Sequence, residues 1–189
     1  MKKIIFLLPL ILFFASAGIK KMQDVEPEGR IRTVFTGKIE YWEARIGKDE
    51  GAFEGYMMND VNRWTFEIGA MKGEVNTEFN DTYNSWIITV GDKTYKLKSW
   101  LSNSWNRWEI SGSDLKTDTV TIQTVLPKSW NNWQLKRDSL EVDFTTYYGK
   151  SWDDWHIDGD LSKLTDGEKI ATLFLPIFVS RIYNRRLVH

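Results

Sequence analysis

The chain has 189 residues, 25 basic against 26 acidic side chains for a formal net charge of −1, ten tryptophans and no cysteine. That length suits one hydrophobic core, and the lack of cysteine excludes disulfides, thiol chemistry, cysteine-ligated zinc and a lipidated cysteine anchor. The balanced charge, with no strongly basic stretch, excludes a general nucleic-acid footprint.

Residues 1–17 read as an export signal. Lys2 and Lys3 form the positive start, Ile4 to Phe14 an apolar stretch interrupted by Pro9, and Ala15-Ser16-Ala17 a small-residue cleavage site. The apolar stretch is shorter than the ~20 residues of a spanning helix, so cleavage is expected, with a periplasmic or extracellular product. Residues 18–30 are polar without apolar periodicity and read as a linker to a single domain over 31–189.

From Ile31 onward the chain repeats, a signal that outranks local propensity. Trp42, Trp64, Trp86 and Trp108 stand 22 residues apart, and Trp133 and Trp155 follow at 25 and 22. Two residues before each stand Glu40, Asn62, Asn84, Asn106, Asn131 and Asp153, which fit turn chemistry that launches a strand. Two residues after stand Ala44, Phe66, Ile88, Ile110, Leu135 and Ile157, which share a strand face with the tryptophan. The residue between is mostly polar (Glu43, Thr65, Glu109, Gln134, His156), with Ile87 the exception, so each strand buries one face.

Partner strands lie between, clearest at Tyr95-Leu97-Ser99-Leu101, Val120-Ile122-Thr124 and Leu140-Val142-Phe144. Short connections such as Gly91-Asp92 and Asp158-Gly159-Asp160 make neighbours antiparallel. The pattern predicts a mainly β fold: about twelve antiparallel strands in a meander, closed into a barrel or strongly curled, with one apolar face needing cover. The cover is the segment TDGEKIATLFLPIFVSRIY. Thr165 and Glu168 have capping-box spacing, and the apolar residues that follow run almost all the way round, as in a helix buried on every side, predicted over about 165–184 with a kink at Pro176. The alternative is two further strands broken at Pro176.

The repeated openings SWNRWEI, SWNNWQL and SWDDWHI, with the ending LTDGEKIATLFLPIFVSRIY, resemble the tubby-like superfamily of tubby C-terminal domains, phospholipid scramblases and LURP-one-related proteins. The resemblance implies a twelve-stranded barrel threaded by its C-terminal helix, and eukaryotic members act at membranes. No counterpart of a basic phosphoinositide pocket and no cysteine for acylation is present, so no residue role carries over.

Catalytic candidates are few, and no catalytic residue or cofactor is expected. His156 and His189 are the histidines, no G-x-S-x-G elbow occurs, and His156 at an outward position reads as a solvated surface residue. The acidic stretch 153–160 offers Asp158 and Asp160 as weak metal candidates, but Lys163 and Lys169 stand where a calcium loop needs Gly and Glu, so turn chemistry is the stronger reading. A hydrolase using carboxylates near 153–160 stays open, because such pairs carry no spacing signature. The sharper signal is aromatic. Trp105, Trp130 and Trp152, three residues before the inward tryptophan, fall on the outer face by strict alternation, joined at one rim by Trp100 and Tyr147, as a platform for a glycan or a lipid membrane surface. Alternatively a turn or bulge resets the alternation and packs them under the barrel end. The expected function is an exported non-enzymatic binding or scaffold protein, with carbohydrate binding and hydrolysis as alternatives.

Overall fold

The computed structural model describes residues 27–34, 40–56, 60–80, 82–102, 104–112, 114–115, 120–126, 129–147 and 152–187, with side chains of the last helix described to Ile182. The export signal and residues 18–26 of the linker lie outside these.

Twelve strands follow in order: β1 (Gly29–Thr33), β2 (Tyr41–Ile46), β3 (Asp49–Gly55), β4 (Arg63–Ile68), β5 (Met71–Thr77), β6 (Ser85–Val90), β7 (Lys93–Leu101), β8 (Ser104–Gly112), β9 (Val120–Thr124), β10 (Asn132–Arg137), β11 (Leu140–Thr146) and β12 (Asp154–Gly159). Each pairs antiparallel with its sequence neighbour, and β1 pairs with β12 to close the barrel. Closure sets Ile31 opposite Trp155 and Arg30 opposite His156, so Gly29 and Arg30 belong to the sheet and not to the linker. The helix α1 (Asp166–Leu187) runs unbroken through Pro176, which removes the two-strand alternative.

The six repeated tryptophans and the apolar residues two positions on all point inward and are buried. Packed against them is α1, whose residues 170–181 are all buried. Phe174 and Phe178, one turn apart on the same helix face, meet this wall. Phe174 lies 4.8 Å from the Trp86 ring and 6.2 Å from Trp64, while Phe178 lies 5.3 Å from Trp86 and 5.5 Å from Trp108. Elsewhere the Trp155 indole N–H donates to Ser180 Oγ at 3.0 Å, so a polar residue of α1 is matched to a polar atom of the wall.

Thr165 and Glu168 form the expected capping box. The Thr165 amide donates to Glu168 Oε2 at 2.6 Å, and the Glu168 amide donates to Thr165 Oγ1 at 3.3 Å. Glu168 is fully buried and also takes the Arg137 guanidinium at 2.6 Å, so the helix start is tied to β10 by charge. Asp166 in the first turn adds a carboxylate where the helix dipole favours one.

Close approach of neighbouring strands needs glycine at two inward positions. A Cβ on Gly51 would lie 1.7 Å from the Glu67 carbonyl oxygen, and one on Gly73 would lie 1.7 Å from that of Thr89.

Two stability measurements check this packing. Gly73→Ala is expected to lower the unfolding free energy by about 3 kcal/mol or more, since backbone must move to admit the methyl group. Glu168→Ala, which strands Arg137 and the Thr165 amide, is expected to cost about 3–5 kcal/mol, against about 1 kcal/mol for Thr165→Ala. Denaturant titration would read both, and a Glu168→Ala loss no larger than that of Thr165→Ala would refute the role given to the buried carboxylate.

Candidate functional site

The two ends of the barrel are built differently. At one end β2–β3, β4–β5, β6–β7 and β10–β11 are joined by tight turns through residues in the left-handed region, Gly47, Gly69, Gly91 and Asp138. At the other end lie the connections β1–β2, β3–β4, β5–β6, β7–β8, β9–β10 and β11–β12. All the large hydrophobic side chains exposed among the described residues stand at this second end. Val34, Tyr56, Phe79, Trp100, Leu126 and Tyr147 supply one from each connection, with Phe79 64%, Leu126 61% and Trp100 57% accessible. Because odd and even strands alternate round a closed barrel, the six form a ring around its mouth.

The ring occupies a register of the repeat. Eight residues before each inward tryptophan stand Val34, Tyr56, Glu78, Trp100, Val125 and Tyr147, and seven before stand Phe35, Met57, Phe79, Leu101, Leu126 and Tyr148. Glu78 is the one polar member. Its carboxyl is held below the usual range by hydrogen bonds from Lys96 and Ser85, so it is tied to the wall.

Local structure explains the exposure. The β7–β8 register shifts between Ser99 and Leu101, a bulge that leaves Trp100 unpaired and turned out. Cations lie over three of the ring's aromatics. Arg107 sits 4.6 Å from the Trp100 centroid, Arg63 4.8 Å from Tyr56 and Arg30 5.8 Å from Tyr147.

The expected row of outward tryptophans is corrected in three members. Trp105, Trp130 and Trp152 are half-buried and pack on the core, Trp105 against Phe178 at 5.7 Å, Trp130 against Trp133 at 5.9 Å and Trp152 against Trp155 at 5.8 Å. The cause is a hydrogen bond. The indole N–H of the next tryptophan donates to the carbonyl of the residue three back, Trp108 to Trp105 and Trp133 to Trp130 at 2.7 Å, Trp155 to Trp152 at 3.3 Å and Trp64 to Val61 at 3.1 Å. That bond curls the chain and ends the alternation. The residue in between continues the ladder, its carbonyl accepting from the following strand: Glu40 from Gly55, Asn62 from Thr77, Asn84 from Ser99, Asn131 from Thr146 and, across the closure, Asp153 from Thr33. Trp100 and Tyr147 remain on the rim, on β7 and just beyond β11, apart from each other.

The acidic stretch is engaged locally. Asp154 pairs with Arg30 at 2.6 Å, Asp160 accepts from Ser162 at 2.5 Å and pairs with Lys163 at 2.9 Å, and Asp158 is exposed opposite Asp143. Among the described residues no group of three or more acidic, His or Cys side chains is placed to hold a metal ion. An outer hollow of about 740 Å³ on β1–β4 is lined in part by Arg30, Arg32, Glu43, Ala52 and Glu67. Arg32 pairs with Glu43 at 2.9 Å, so much of its charge is directed within the wall.

His156 is not freely solvated. It is half-buried with its ring 4.4 Å from that of Tyr147, and burial pushes its pKa below the ordinary histidine value against the pull of Asp154. Among the described residues no helix is long and apolar enough to cross a membrane, which says nothing of strands. A scan against protein-family models and searches of curated proteins and of solved structures return no match.

The lowered pKa makes the folded state favour neutral His156, while the unfolded chain takes up its proton near the ordinary value of about 6.5. Stability from this group is therefore complete above that pH and declines as pH falls below it, down to the folded pKa. His156→Gln, the residue the preceding copy carries as Gln134, should flatten this segment of a melting-temperature profile. An unchanged slope between neutral pH and pH 5 would contradict the assignment.

Proposed function

We propose that this chain is an exported, non-enzymatic binding or scaffold protein on a tubby-like barrel, and that it meets its partner with the apolar rim. The observation that carries the reading is the placement of the exposed apolar side chains. A packed interior has no use for them, because Phe79, Leu126 and Trp100 contribute little to any core, yet the repeat keeps apolar residues at these positions in copy after copy. Exposed apolar patches on a soluble surface mark interaction sites. The rest of the outer wall is a different surface, bearing Glu43, Lys72, Lys96, Glu109, Lys136 and Asp143. That charge pattern is opposite to a barrel that crosses a bilayer with its strands, which is apolar outside. Support for a non-catalytic role is the local engagement of Asp154 and Asp160.

Trp100 is a built-in reporter. The six repeated tryptophans are buried and three others half-buried, so iodide is expected to quench chiefly Trp100, and Trp100→Phe should remove most of the quenchable emission. A cell-surface fraction containing the partner should then shield Trp100 in the wild-type protein. If lipid, polysaccharide and protein fractions all leave it fully quenchable, the rim is not the binding end.

A further inference from the structure

We infer that the rim docks end-on to a lipid bilayer surface, with the barrel axis across the interface and the exposed apolar side chains of the rim, Phe79, Leu126 and Trp100 foremost, against the lipid. This rests on the rim being the binding end and names its partner. Two features select a bilayer. The apolar residues are arranged as an annulus, one per connection, so a flat and laterally fluid partner reaches all of them at once, whereas a peptide or glycan strand meets an arc.

The composition is interfacial. Tyr56, Trp100 and Tyr147 place an apolar ring with a polar edge at headgroup level, with Phe79 and Leu126 as purely apolar members between them. Arg63, Arg107 and Arg30 lie over those three aromatic rings and pair with Glu74, Glu109 and Asp154 of the wall, which fixes the rings at the edge of the mouth.

The test is co-flotation of the protein, in whatever form its producing cell releases it, with protein-free phosphatidylcholine vesicles with and without phosphatidylglycerol. It is run beside a Phe79→Asp/Leu126→Asp variant whose melting temperature and near-ultraviolet circular dichroism report that the fold is kept. The wild type is expected to float with either lipid, and the variant to bind about tenfold or more weakly. Lipids brominated in the upper acyl chain should quench Trp100, and Trp100→Phe should lose that quenching.

Failure of the wild type to bind either vesicle overturns the lipid assignment. So does equal flotation of wild type and variant, which would place the attachment elsewhere on the chain. Concentration-dependent loss of iodide access to Trp100 without lipid would name a second copy as the occupant and overturn it as well. If vesicles fail but a polysaccharide or protein fraction shields Trp100, the rim remains the binding end and only the bilayer falls. If nothing shields it, both readings fall.

Discussion

The contact between the central helix and the ring of inward tryptophans is what the remainder of the molecule depends on. Twelve strands enclose more space than their own side chains fill, and an unfilled barrel would leave its apolar faces against water or a void. The helix answers with bulk on every side: Phe174 and Phe178 toward β4, β6 and β8, and Ser180 toward the Trp155 N–H. The indoles of Trp64, Trp108, Trp133 and Trp155 are also fixed by their own strands, because the carbonyl three residues back accepts the N–H. The tryptophan thus serves two ends at once, filling the core and shaping the connection above it. The Trp86 Nε1 is an exception, buried without a hydrogen-bond partner among the described residues, with Tyr83 stacked beside it at 6.2 Å.

A filled interior separates structure from function in space. The inside is committed to packing, the wall to charge pairs such as Lys72 with Glu67 and Lys136 with Glu141, and the turn end to tight reversals. Surface pairs of this kind contribute little stability individually, but they keep the wall hydrated and leave one end chemically distinct. At that end the helix closes off beneath the rim with a charged residue. Arg181, 1% exposed, stands 3.6 Å from Glu40 and 5.7 Å from the Trp64 ring, so the core finishes in a cation held by a carboxylate and an aromatic face.

Much of the architecture was legible in the sequence because it rests on periodicity. Strand number, antiparallel order and inward tryptophans follow from period-two alternation in a repeat, and the start of α1 follows from the Thr165 and Glu168 spacing. The rim was legible only in part. Trp105, Trp130 and Trp152 turn inward because of a hydrogen bond to their carbonyls, a feature that alternation does not encode. Trp100 and Tyr147 are exposed, one turned out by a bulge and the other lying past a strand end. The apolar pairs such as Tyr56-Met57 and Leu126 with Val125 are visible in the repeat register, but an apolar pair ending a strand looks like core until the geometry shows which side of the barrel mouth it occupies.

The position of the helix in the chain has a consequence for how the molecule comes into being. The residues that close the barrel, Arg30 and Asp154, are 124 positions apart, and the element that fills it comes after both. Strands made or delivered earlier have a bare apolar face and an unpaired edge until β12 and α1 arrive, and such non-local assemblies fold slowly. Completion is thereby coupled to length. A chain cut before Ile170 keeps the six inward tryptophans without the helix that covers them, so such products present adhesive surface to proteases and to one another, and only a chain that reaches through α1 conceals these six indoles.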